Sequence, residues 1–262
     1  MELLREEFTL LQRECLACGR AGASYLLLQP ADEHDLSCIE EEARLLAAFE
    51  DKGQLPGHGL LVAVRVNDWS SELSPWEAPQ PSGSALFGDG APAFLEKLLA
   101  LIPELQRRFG LAADCPVLLG GYSLAGFFSL WAAYRTDAFQ AVAAASPSLW
   151  FQGFMKYQRG RKPRVEAVSL SLGDKEEKTR NEMMASCGSA MRQYYEELSE
   201  LMEPGALVFE WNPGGHFDAN ANGARLLSRG EDARPPRLKS IVTTGALCYT
   251  VLLNTSHLQE VC

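Results

Sequence analysis

The chain has 262 residues, 47% of them hydrophobic and 22% charged, which is enough to bury one sizeable core. Its 24 Lys and Arg against 34 Asp and Glu leave a formal charge of −10, and no basic stripe interrupts that excess. This argues against a phosphate backbone or an anionic membrane as partner, so neither nucleic acid nor membrane binding is expected.

The N-terminal stretch MELLREEFTLLQREC carries charges of both signs where a signal peptide needs an apolar core. No later apolar run is long enough to cross a bilayer, and a cytoplasmic location is expected. Seven cysteines, an odd number without framework spacing, fit reduced thiols. Cys15 and Cys18 form a lone CxxC with no second ligand pair at zinc-site spacing, so neither a metal nor a cofactor is expected.

Short apolar runs then alternate with longer helical patterns, as in a parallel sheet with crossover helices. The predicted strands are 23–30, 59–66, 115–122, 139–146, 165–173 and 206–211, and the later ones are near-continuously apolar, as buried parallel strands are. Predicted helices cover 37–51, capped by Ser37 with Glu40 three residues on; 91–110, ended by Gly110; 124–136; and 178–202. The fold class is α/β, with a mostly parallel central sheet and helices on both faces. Residues 67–90, rich in Pro, Gly, Ser and Trp, form a long irregular loop after a buried strand and are expected to wall a site. Residues 1–228 make up the expected catalytic domain. From 229 onward, RGEDARPPRLK and the apolar run after it break the pattern and form a tail to which the sequence assigns no role.

Chemistry enters at 117–134, VLLGGYSLAGFFSLWAAY, where an apolar strand turns sharply at Ser123 into a helix. Such a turn holds a serine in strained dihedrals and needs very small residues two positions either side, here Gly121 and Ala125. The motif is G-x-S-x-A, with Gly126 following at once. A serine hydroxyl needs a general base, normally a histidine oriented by a carboxylate, and in this kind of fold the order is Ser, acid, His. His34 and His58 precede Ser123, and His257 lies in the anomalous tail. His216 remains, in the Gly-rich NPGGHFDAN; Asp218 is read as a cap of the segment after it. The loop after strand 165–173 offers Asp174, Glu176 and Glu177 as the acid, and spacing does not choose among them. An oxyanion hole calls for the Leu124 N–H and a second donor after strand 59–66, at Trp69 or Asp68. Loops at the carboxyl ends of parallel strands converge, so Trp69, Trp76 and Trp150 are expected to line one cleft, with Tyr122 beside the nucleophile.

Four segments together resemble the esterase family of the α/β-hydrolase superfamily that includes enterochelin-type siderophore esterases, S-formylglutathione hydrolases and mycolyltransferases. They are GGYSLAG, ASPSLW at 145–150, SLGDKEE and GGHF, and the resemblance spans about residues 20–228. It implies an acid three residues after Gly173, which is Glu176, and a substrate pocket bordered by Ser146 and Trp150. Siderophore esterases also carry an acidic-leucine pair, echoed by Glu72 and Leu73, but with an arginine just before it; here Trp69, Ser70 and Ser71 precede, which argues against a catecholate trilactone. The implied activity is cofactor-independent hydrolysis of a small-molecule ester through an acyl-enzyme, with thioester hydrolysis or acyl transfer on the same machinery as the alternative. A non-catalytic binding protein on the same fold is the reading from another class.

Overall fold

A computed structural model describes residues 3–216 except 54 and 56, so the predicted tail, Asp218 and His257 lie outside the described residues. In chain order the elements are β1 (Leu4–Leu10), β2 (Arg13–Gly19), β3 (Tyr25–Ala31), α1 (Glu33–Asp51), β4 (Gly59–Arg65), α2 (Trp69–Glu72), β5 (Ala78–Pro79), β6 (Leu86–Phe87) and α3 (Ala91–Phe109). They continue with β7 (Val117–Tyr122), α4 (Ser123–Ala132), β8 (Ala141–Ala145), α5 (Phe154–Gln158), β9 (Ala167–Gly173), a 3-10 turn (Glu176–Lys178), α6 (Glu182–Ala185), α7 (Cys187–Ser199) and β10 (Leu207–Asn212). Eight strands form one sheet in the order β1-β2-β4-β3-β7-β8-β9-β10, while β5 and β6 make a small separate ribbon. From β4 through β10 every neighbouring pair is parallel; β1 and β2 add an antiparallel edge.

The predicted parallel strands form, because runs such as LLLQ and LLVAV are buried on both sides of the sheet. Period-two alternation sorts them: Leu119, Val142 and Leu170 join Phe94, Phe127, Phe128 and Tyr194 on the face covered by α3, α4 and α7, while Leu118, Ala141 and Ala143 join Ile39 and Leu46 under α1. Each fully buried phenylalanine on the first face contributes roughly 2–3 kcal/mol.

The N-terminal stretch holds two strands that the sequence did not announce, and two predicted helices need correction. The N-terminal stretch is the hairpin β1–β2, turning at Leu11 (φ 47°) and Gln12 (φ 62°). Cys15 and Cys18 both lie on β2 and, three residues apart on a strand, point to opposite faces, where they cannot chelate one ion. Helix α1 starts a turn before Ser37, because Asp32 and Asp35 form a reciprocal capping box, worth about 1 kcal/mol. Ser37, inside the helix, donates to the His34 carbonyl at 2.5 Å. The predicted helix 178–202 is broken: Asn181 caps α6 by accepting from the Met184 N–H at 3.0 Å, and α7 begins afresh at Cys187.

Candidate active site

Ser123 follows β7 directly and opens α4 with φ 57°, a left-handed backbone that a non-glycine residue adopts at a cost on the order of 1–3 kcal/mol. The tightness of the turn is what demands small residues. A Cβ on Gly121 would come within 2.6–2.8 Å of Ala125, and one on Gly126 within 2.8 Å of the Gly121 carbonyl oxygen. The glycine just after Ala125 is therefore the one the helix–strand contact requires, and alanine fits at Ala125 itself.

His216 stands on the segment just past β10, with Nε2 2.9 Å from Ser123 Oγ and Nδ1 2.8 Å from Glu176 Oε2. The other Glu176 oxygen, Oε1, accepts from the Ser146 hydroxyl at 2.6 Å and from the Gly173 N–H at 2.8 Å. Glu176 is 6% exposed, so its carboxylate is desolvated and held by three donors at once. Of the three candidate acids it is the one that touches the imidazole. Asp174 Oδ1 accepts instead from the Gly214 N–H at 2.8 Å and so ties down the histidine segment. Glu177 forms a two-pronged pair with Arg192 at 2.8 and 2.9 Å, which holds its carboxyl below the usual range.

The remaining predicted residues divide. Leu124 follows Ser123 in the first turn of α4, where N–H groups have no intrahelical acceptor. Trp69 opens α2, capped by Asp68, after the carboxyl end of β4 and at the same end of the sheet as Ser123. Trp150 borders a cavity of about 200 Å³ beside His216 and Glu176, whose wall also includes Lys175, Thr179, Met184 and Cys187. Burial pushes the Cys187 thiol up to about 12, which keeps it protonated and unreactive. Neither Trp69 nor Trp76 is in this wall: the Trp76 indole N–H donates to the Gln152 carbonyl at 2.9 Å and its ring packs against Phe151 and Tyr157. Ser146 and Tyr122, expected at the substrate pocket, are engaged elsewhere. Ser146 is buried against Glu176, and the Tyr122 hydroxyl donates to the His216 carbonyl while its ring stacks on the imidazole, 5.0 Å between centroids.

Sequence reasoning missed Arg13. This buried residue of β2 reaches both Glu72 oxygens and lies 5.3 Å from the centre of the Phe94 ring. Burial works to raise the Glu72 carboxyl, but the bonds from Arg13 and from the Asn67 N–H outweigh it and hold it low. An arginine does accompany Glu72, then, from another strand, and the pair fastens the loop after β4 to the sheet.

No protein family matches the chain, and no curated protein does. Solved structures do. A siderophore hydrolase, EstB, from Aspergillus nidulans aligns with a TM-score of 0.59 at 17% identity, over 90% of this chain and 96% of that one. An IroE-like serine hydrolase from Shewanella oneidensis aligns with a TM-score of 0.66 at 14% identity, over 96% and 80%. The enterobactin esterase FES from Shigella flexneri aligns with a TM-score of 0.59 at 14% identity, over all of this chain and 60% of its own length. Together with the strand order and the turn at Ser123, these likenesses place the chain in the α/β-hydrolase fold.

Proposed function

We propose that this chain is a serine hydrolase that cleaves a small-molecule carboxylic ester without a cofactor. Ser123 attacks the carbonyl and His216 Nε2 takes its proton. Glu176 fixes the tautomer and stabilises the imidazolium. The tetrahedral oxyanion is met by the Leu124 N–H and a second N–H at Trp69. The alcohol leaves with the proton from His216, and water activated by the same imidazole resolves the acyl-enzyme. Thioesters run through identical steps and remain within the proposal.

The observation that carries this reading is the continuous contact from Ser123 Oγ at 2.9 Å to His216 and at 2.8 Å on to Glu176, built on a strained turn. The fold's likeness to solved siderophore and enterobactin esterases supports an ester as the bond cleaved. A fluorophosphonate probe tests it. The full chain is expected to be labelled once and Ser123→Ala not at all, with turnover of a panel of activated esters lost in the same variant; labelling that persists in Ser123→Ala refutes the assignment.

A further inference from the structure

The geometry points to Tyr122 and Ser146 as positioning residues of this relay, clamping the base and the acid in register with the nucleophile rather than contacting substrate; the inference rests on the function proposed above. Tyr122 immediately precedes Ser123, so the strand end that presents the nucleophile also presents a phenol and a ring to His216. Its hydroxyl donates to the His216 main-chain carbonyl, and its ring lies within 29° of parallel to the imidazole. Burial, then the Glu176 charge, raise the phenol above its ordinary range, with a Ser146 hydrogen bond working the other way. At any working pH it is therefore a donor. Two contacts on one side chain fix both the height of the histidine segment and the plane of the ring.

Ser146 does the corresponding work on the acid. It follows β8, the strand between those of the nucleophile and the acid, with φ 45° and its N–H bonded to the Ser171 carbonyl at 2.9 Å. From that backbone its hydroxyl reaches Glu176 Oε1 at 2.6 Å, and with the Gly173 N–H it occupies one carboxylate oxygen so that the other faces His216 Nδ1. The two hydroxyls thus brace opposite ends of the histidine–carboxylate bond. Misplacement by about 1 Å at such a bond costs up to a hundredfold in rate.

The test compares Tyr122→Phe, which keeps the stacked ring, and Ser146→Gly, which removes the hydroxyl while relieving the positive φ, with the parent chain. kcat and KM on an activated nitrophenyl ester, the rate of fluorophosphonate labelling and the melting temperature are measured, with Ser123→Ala alongside. The expected result is a fall in kcat and labelling rate of about tenfold to a hundredfold, with KM within about twofold and melting temperature retained. A raised KM at constant kcat would make both residues substrate contacts and overturn the inference. No change overturns it as well, and so does a loss of kcat that merely tracks a loss of melting temperature. Failure of the underlying reading is separate: Ser123→Ala would then keep its turnover or its label.

Discussion

Two buried carboxyls, one in the turn after β9 and one on α1, meet different surroundings. Glu176 is 6% exposed and its oxygens meet a hydroxyl, an amide and an imidazole. Glu42, on the inner side of α1, is 2% exposed, and its Oε2 has no hydrogen-bond partner among the described residues. Burial, reinforced by the nearby Asp35 charge, pushes the Glu42 carboxyl up to about 8, while the half-buried Asp35 rises to about 6 through desolvation and the Asp32 charge. The comparison teaches that depth alone does not decide how many donors a buried carboxyl meets. Three donors fix the orientation of the Glu176 carboxyl, whereas burial without a donor on Oε2 leaves Glu42 a neutral acid at pH 7.

The sharpest way to break the contrast is Glu176→Gln. An amide holds the wrong histidine tautomer and carries no charge, so kcat is expected to fall by about ten thousandfold with the fold retained. Asp174→Asn, whose amide oxygen still accepts from Gly214, should stay within about tenfold of the parent. Turnover of both variants on one activated ester, beside their melting temperatures, reads this out; a silent Glu176→Gln with a crippled Asp174→Asn would transfer the acid's role.

Next in size is Glu42→Gln, which should leave kcat unchanged. Because the folded-state value lies above the ordinary one, the folded protein holds a proton that the unfolded chain releases. Stability is therefore full below the unfolded value and drains away as pH rises toward about 8. The amide removes that loss, and its NH2 can donate to Gln29 Oε1, which has no partner among the described residues. The variant should match the parent near pH 5 and exceed it at pH 8.5 by on the order of 1–3 kcal/mol, read by thermal melts across pH. A parallel pair of curves would contradict the neutral acid. The smallest effect belongs to Glu177→Gln. Its pair with Arg192 is solvent-facing, so removing it should cost under about 1 kcal/mol and nothing in turnover, checked by the same melts at low and high salt.

What was legible in the sequence follows from how local each signal is. Parallel strands announce themselves as apolar runs, and the Ser123 turn combines a strand, small residues and a helix within one short stretch. The edge hairpin was not readable, because its two left-handed positions are filled by Leu11 and Gln12 where asparagine or glycine would signal a turn. Arg13–Glu72 was hidden for a different reason: the partners are 59 residues apart and meet only because β2 pairs with β4. Glu176 was singled out by family likeness, not by spacing. Asp174 and Glu177 are equally plausible until the chain is folded, when one bonds the histidine segment and the other an arginine. Ser146 and Tyr122 were read as pocket residues because a motif says where a side chain sits along the chain and not which way its hydroxyl turns.

The positive φ of Ser123 has an evolutionary side. Glycine at that position would relieve a backbone cost of about 1–3 kcal/mol while losing about 0.5–1 kcal/mol through the freedom it gives the unfolded chain. The chain with glycine at position 123 would fold about as well as the chain with serine. Selection for a stable fold alone thus has no grip on this serine, and its loss would leave every strand in place.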